Sequence, residues 1–177
     1  MALDHPGRLE RVALLDILPT RFLYDHADRE LARAYWTWFF LIQAPGLPER
    51  LLGGDPAAFL DHELGDALSS GAVTREARQA YLAALEDPAT VHAMCEDYRA
   101  AVTIDLEHDD ADADRRIECP ALVLWGRTNP VLDRFDVTGV WSLYAREVHG
   151  TALPCGHYLP EEAPWPVIRH LARFLDG

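Results

Sequence analysis

Two residues far apart in the chain, Asp16 and His157, have types suited to moving a proton. An imidazole that takes a proton from water needs a carboxylate to fix its tautomer and to stabilise the imidazolium that forms. Asp16 stands at the end of the apolar run 11–17, and Gly156-His157 follows directly on the run 147–153. Arg127, Asn129, Asp133 and Asp136 lie in or beyond the loop after a third run, 121–126, and Asp133 or Asp136 is an alternative to Asp16 as the supporting acid. The plainer readings are a surface-loop histidine at 157 and an acid at 16 that caps the turn before Pro19.

Other chemistries find less support. There is no Gly-x-Ser-x-Gly or Gly-x-Asp-x-Gly turn of the kind that exposes a nucleophile between strand and helix. Cys155-Gly156-His157 places a thiol beside an imidazole in sequence only, which is not the geometry of a nucleophile and its base. His92-x-x-Cys95 and His108-Asp109-Asp110 have metal-like spacing but supply no third ligand, so no metal and no cofactor is expected. By position alone, Trp38 and Tyr98 read as core aromatics on helices.

The elements that must hold these residues follow from the pattern. Runs 11–17, 121–126 and 147–153 read as strands of a parallel sheet, the first covered on both faces, and ligands bind at the carboxyl ends of such strands. Residues 22–112 read as helical. One apolar stripe runs over 28–42, Asp55-Pro56 and Asp87-Pro88 look like helix starts, and Thr74–Glu86 is a strong helix former. The acid-rich stretch 105–114 reads as a solvated turn, 137–145 and 160–175 as helices. Met1–Leu3 reads as the last turn of a helix stopped by Pro6-Gly7, with glycine as a left-handed cap. A parallel strand so near the start calls for an upstream neighbour.

Sixteen basic against 29 acidic residues give a net charge of −13, which repels phosphate backbones and anionic lipid, so neither nucleic acid nor membrane is an expected partner. The most apolar window, Tyr35–Ile42, is far short of a membrane span. The N-terminus lacks the pattern of a signal peptide. Three scattered cysteines without a C-x-x-C pair suit reduced thiols and a cytoplasmic setting.

The segments Ala2-Leu3-Asp4-His5-Pro6-Gly7-Arg8-Leu9, Leu15-Asp16-Ile17-Leu18-Pro19-Thr20, Tyr35-Trp36-Thr37-Trp38-Phe39-Phe40, Leu51-Leu52-Gly53-Gly54-Asp55-Pro56, Met94-Cys95-Glu96-Asp97-Tyr98-Arg99 and Gly156-His157-Tyr158-Leu159-Pro160-Glu161-Glu162-Ala163-Pro164 carry a resemblance. In this order they resemble the C-terminal half of the haloacetate (fluoroacetate) dehalogenases, α/β hydrolases related to epoxide hydrolases. The resemblance implies a partial α/β-hydrolase fold, about three parallel strands with flanking helices, plus an inserted helical cap. Residues 1–20 and 115–177 then form part of the core and 21–114 the cap. It also implies that His157 is the general base and Asp16 its supporting acid, acting on an aspartyl-ester intermediate. Trp38 and Tyr98 match cap residues that donate hydrogen bonds to a departing halide, a role suited to positioned donors. Thr37 stands where the family has histidine, which points toward chloro- or bromoacetate, an ester or an epoxide. The family's nucleophilic aspartate and carboxylate-binding arginines align before Met1, so the chain alone is expected to be inactive, a truncated product. A small-molecule substrate is implied, and a homodimer stays open.

Overall fold

A computed structural model describes residues 1–176. In chain order the elements are β1 (Val12–Leu15), α1 (Thr20–Asp25), α2 (Arg29–Ala34), α3 (Trp36–Leu41), α4 (Leu47–Gly54), α5 (Pro56–Ser69), α6 (Arg75–Leu85), α7 (Pro88–Ala101) and α8 (Ile104–Ala111). There follow β2 (Ala121–Gly126), α9 (Val137–Trp141), β3 (Val148–Leu153), α10 (Leu159–Glu162) and α11 (Pro164–Leu175). These form two compact units, one of residues 1–26 with those from Asp112 onward, the other of Ala27–Ala111.

The first unit is built on a parallel sheet in the order β1-β2-β3. Val12 lies opposite Ala121, and Ala121 opposite Val148, so the carboxyl ends of all three strands open on one side. Central β2 is buried along its length apart from half-buried Trp125, whereas Ala13 of β1 and His149 of β3 are exposed. Cover on both faces is complete at β2, while β1 pairs with β2 alone among the described residues. Leu122, Leu124 and Leu153 pack with Cys155, Leu159, Ala163 and Val167, and Leu171 and Phe174 of α11 join them. Positions 167, 171 and 174 make one stripe of α11. A fully buried leucine of this kind contributes about 1.5–3 kcal/mol. The indole N–H of Trp141 on α9 donates to the Ile17 carbonyl at 2.9 Å, tying that helix to the chain leaving β1.

The second unit is entirely helical. Asp28, Asp55, Thr74 and Asp87 each accept a backbone N–H at a helix start, at 2.8–3.2 Å, which satisfies donors the helix itself cannot. Leu41, Leu52, Val91 and Cys95 form its core, flanked by Phe40, Phe59, Leu85, Met94 and Tyr98. Arg99 of α7 reaches Glu49 of α4 at 2.8 Å and Glu96 at 2.6 Å, and its Nε donates to the Gln43 carbonyl at 2.9 Å.

Several local readings change. The stripe over 28–42 is two helices, because Tyr35 leaves helical geometry (φ −107°, ψ 40°) and its ring stacks on Trp38 at 5.3 Å. The acid-rich stretch is helix α8 from Ile104 to Ala111, with Asp105 and Glu107 in the first turn, where the helix dipole favours negative charge. The predicted helix 137–145 ends at Trp141. The predicted helix 160–175 breaks at Ala163 (φ −139°, ψ 53°), where the following Pro164 disfavours helical geometry. Gly7 lies in a short 3-10 turn, Pro6–Arg8, and not in a left-handed cap. No helix among the described residues is long and apolar enough to cross a membrane.

Candidate active site

The site begins where β1 ends. The N–H of Asp16 donates to the Leu124 carbonyl at 2.7 Å, the last rung between β1 and β2. The backbone then turns into the left-handed region at Asp16 (φ 51°), the one non-glycine residue to do so among those described. Such strain costs on the order of 1–3 kcal/mol and persists only where surrounding bonds enforce it. Here they do. Oδ1 accepts the Gly126 N–H at 2.7 Å and Oδ2 accepts the Asn129 Nδ2 at 2.6 Å. Nδ1 of His157 lies 2.6 Å from the same Oδ2.

Asp16 and Asn129 are each only 2% exposed, so their polar groups depend on these partners. Three N–H donors converge on two oxygens, the bonding pattern of an acceptor-only carboxylate. Asn129 cannot be reversed, because its Oδ1 already accepts the N–H of Val131 at 2.9 Å and of Leu132 at 3.3 Å. Its amide nitrogen must therefore face Asp16. The carboxylate in turn selects the tautomer with hydrogen on Nδ1, leaving the Nε2 lone pair for chemistry. The His157 side chain is 56% exposed, so that nitrogen is reachable.

The His157 loop is held against β2 by its backbone. Arg127 N–H donates to the Leu153 carbonyl at 2.9 Å, and the Thr128 hydroxyl to the Cys155 carbonyl at 2.9 Å. A Cβ on Gly126 would sit 2.0 Å from the Gly156 carbonyl oxygen, an approach only glycine permits. On the other side, the Glu162 carboxylate accepts the N–H of Gly156 at 2.7 Å and of Tyr158 at 3.0 Å.

Of the alternative acids, Asp136 caps α9 through the Gly139 N–H at 3.0 Å, and Asp133 is exposed. Burial, with the Glu162 and Asp16 charges nearby, pushes the Cys155 thiol up to about 11, the wrong direction for a nucleophile.

Thr37, Trp38 and Tyr98 lie in the helical unit. The Trp38 and Tyr98 rings meet edge to face at 6.1 Å. Buried Thr37 donates its hydroxyl to Glu63 Oε2 at 3.0 Å. Burial pushes the Tyr98 phenol above its ordinary range, and the charges of Glu63 and Asp97 add to this. Glu49, His92 and Glu96 bring ligand-type atoms within 4.8 Å of one another, yet Arg99 already pairs with both carboxylates.

The sequence puts Asn129 in the loop after β2 without assigning its task, and does not single out Glu63 or the bonds of Glu162. An asparagine three residues beyond a strand-end glycine was the available signal for the first. Contacts 26 positions apart, like Thr37 with Glu63, leave no such trace.

Three parallel strands with flanking helices and a carboxylate–imidazole pair at their carboxyl ends make this a partial α/β-hydrolase fold. The chain is similar to the C-terminal half of the haloacetate dehalogenase type of that fold. It is 38% identical, over 99% of its length, to fluoroacetate dehalogenase from Burkholderia, of which it covers 59%. A provisionally assigned α/β hydrolase from Nostoc superposes with a TM-score of 0.94 and 47% identity, over 98% of this chain and 60% of that one. A provisionally assigned acyltransferase from Salmonella enterica gives 0.95 and 44%, over 99% and 58%. A provisionally assigned epoxide hydrolase from Pseudomonas aeruginosa gives 0.91 and 39%, over 99% and 59%. The chain thus spans about three-fifths of the length of these relatives. No family model matches the sequence.

Proposed function

We propose that the chain is the histidine- and cap-bearing part of a hydrolase that works through an ester on an enzyme carboxylate. His157 Nε2 takes a proton from water as its oxygen adds to the ester carbonyl, and Asp16 holds the imidazolium that results. The acyl C–O bond then breaks, the enzyme carboxylate is restored, and the imidazolium returns its proton to the departing alkoxide. The helical unit is the cap, with Trp38 and Tyr98 as donors to a leaving group. The nucleophilic aspartate is supplied by the segment that corresponds to the relatives' remaining length. The observation that carries this reading is the 2.6 Å contact of Asp16 Oδ2 with His157 Nδ1 at the carboxyl ends of parallel strands.

A second reading keeps the His157–Asp16 pair as the water-activating base and changes the substrate to an epoxide or ester. It is favoured by Thr37, whose hydroxyl is committed to Glu63. That carboxylate's charge also acts on the Tyr98 phenol, an unfavourable setting for a departing halide.

The test pairs this chain with the segment of the Burkholderia relative that it does not span, and offers fluoroacetate, chloroacetate, a small epoxide and an activated ester. Turnover of at least one, abolished by His157→Ala, is expected. A folded pairing, verified by circular dichroism, that turns over none of them overturns the proposal. Hydrolysis of the epoxide or ester without halide release selects the second reading.

A further inference from the structure

We propose that Glu162 is a positioning residue for His157. The inference deepens the hydrolase reading and rests on it for its catalytic consequence, but its geometry stands apart. The two oxygens of Glu162 accept the N–H groups of Gly156 and Tyr158, the residues on either side of His157, at 2.7 and 3.0 Å. A carboxylate bridging both flanking amides fixes the backbone from which the imidazole projects.

Local chain geometry delivers it there. His157 is followed by the single turn α10, and the Glu162 N–H donates to the Tyr158 carbonyl at 2.8 Å, folding the side chain back beneath the loop. The opposite side of the loop is walled by Gly126, with no room for even a methyl group before the Gly156 carbonyl. A Cβ on Gly156 would itself lie 3.0 Å from Glu162 Oε1, so the clamp is tight on both sides. Asp16 orients the ring through Nδ1, while Glu162 sets where the ring begins. Charged acceptors hold backbone N–H groups more strongly than neutral ones. Displacing a base by about 1 Å can cost roughly a hundredfold in rate.

Glu162→Gln keeps the shape but turns an NH2 toward one of the two amides, so one bond is lost. Glu162→Ala loses both. The readout that a purely structural clamp would leave alone is the proton NMR resonance of the His157 Nδ1–H, held downfield by Asp16 and assigned by its loss in His157→Ala. The 177-residue chain is used throughout. Glu162→Gln is expected to shift and broaden this resonance while the thermal midpoint changes little, and Glu162→Ala, where folded, to remove it. In the paired, active form, Glu162→Gln should lower kcat roughly tenfold or more with KM nearly unchanged. A resonance in Glu162→Gln identical to the parent overturns the proposal. A resonance that depends on Glu162 in a protein that hydrolyses nothing supports the positioning role while the hydrolase reading falls.

Discussion

Asp16 Oδ2 and His157 Nδ1 lie 2.6 Å apart although 141 positions separate them in the chain. Parallel pairing through β2 makes the contact, because it brings the ends of β1 and β3 to the same side of the sheet. The acid is sunk among donors and the imidazole is half out in solvent, so the two ends of the pair have different energetic roles.

Asp16→Asn should therefore destabilise the first unit more than His157→Ala does. An amide at 16 must turn its NH2 toward Gly126, Asn129 or His157, each of which already presents an N–H. Leaving such buried donors unsatisfied costs about 1–3 kcal/mol. Removing the histidine lets water take its place, at about 1 kcal/mol or less. Urea unfolding of the two variants, followed by tryptophan fluorescence, measures the order directly. A larger loss for His157→Ala would contradict this account of the buried acid.

Gly126→Ala tests the contact between the β2 end and the histidine loop. Its Cβ would stand 2.0 Å from a backbone oxygen, so the loop itself must move. Overpacking of this kind costs about 1–3 kcal/mol or more and carries His157 away from Asp16. Gly53→Ala inside α4 is the control, since its Cβ would meet nothing within 4 Å. That change should be neutral or stabilising by about 0.5–1 kcal/mol through helix propensity. Thermal midpoints moving in opposite directions are the expected result.

What the sequence displayed and what it hid divide along physical lines. The strands were legible because apolar runs with β-branched and leucine residues end in Asp16, Gly126 and Leu153. The helix starts at Asp55 and Asp87 were legible because capping is local chemistry, and the helix after Thr74 because its residues are strong helix formers. The break at Tyr35 has no proline or glycine to announce it and is set by how Tyr35 and Trp38 stack. Helix α8 was obscured because acidic residues at a helix start are stabilised by the helix dipole, which a count of charges overlooks. At the site, Asp16 and His157 could be proposed from type and place. The bonds from Asn129 to Asp16 and from Glu162 to the loop depend on turns whose geometry only the folded chain specifies.

Acid should weaken the helical unit through Glu49. The Arg99 guanidinium, first, and then the backbone and His92 hold its carboxyl down to about 2, against an ordinary 4.5. Its folded value lies below its unfolded one, so the pair's stabilisation is complete above 4.5 and is lost as pH falls toward 2. Glu49→Gln removes this dependence, lowering stability near neutrality and flattening the slope on the acid side. Urea midpoints between about pH 3 and 6 compare the two proteins. Parallel slopes would show that Glu49 is not the group responsible.

The last prediction concerns Glu63 and the character of the aromatic pair in the helical unit. Burial is the main cause that raises the Tyr98 phenol, and Glu63 adds to it by disfavouring a second negative charge. Glu63→Gln should bring the phenol's titration down toward its ordinary 10, read as the phenolate absorbance that disappears in Tyr98→Phe. Burial persists, so the return should be partial. Thr37 keeps a hydrogen-bond acceptor in the glutamine amide, so the fold should tolerate the change. The same substitution removes an anion from the neighbourhood of the proposed leaving-group donors. In the paired, active form it should therefore raise halide release from chloroacetate relative to epoxide or ester turnover. A phenol titration unmoved by Glu63→Gln would break the electrostatic link between Glu63 and Tyr98. With that link broken, the charge-based argument against a halide leaving group loses its basis.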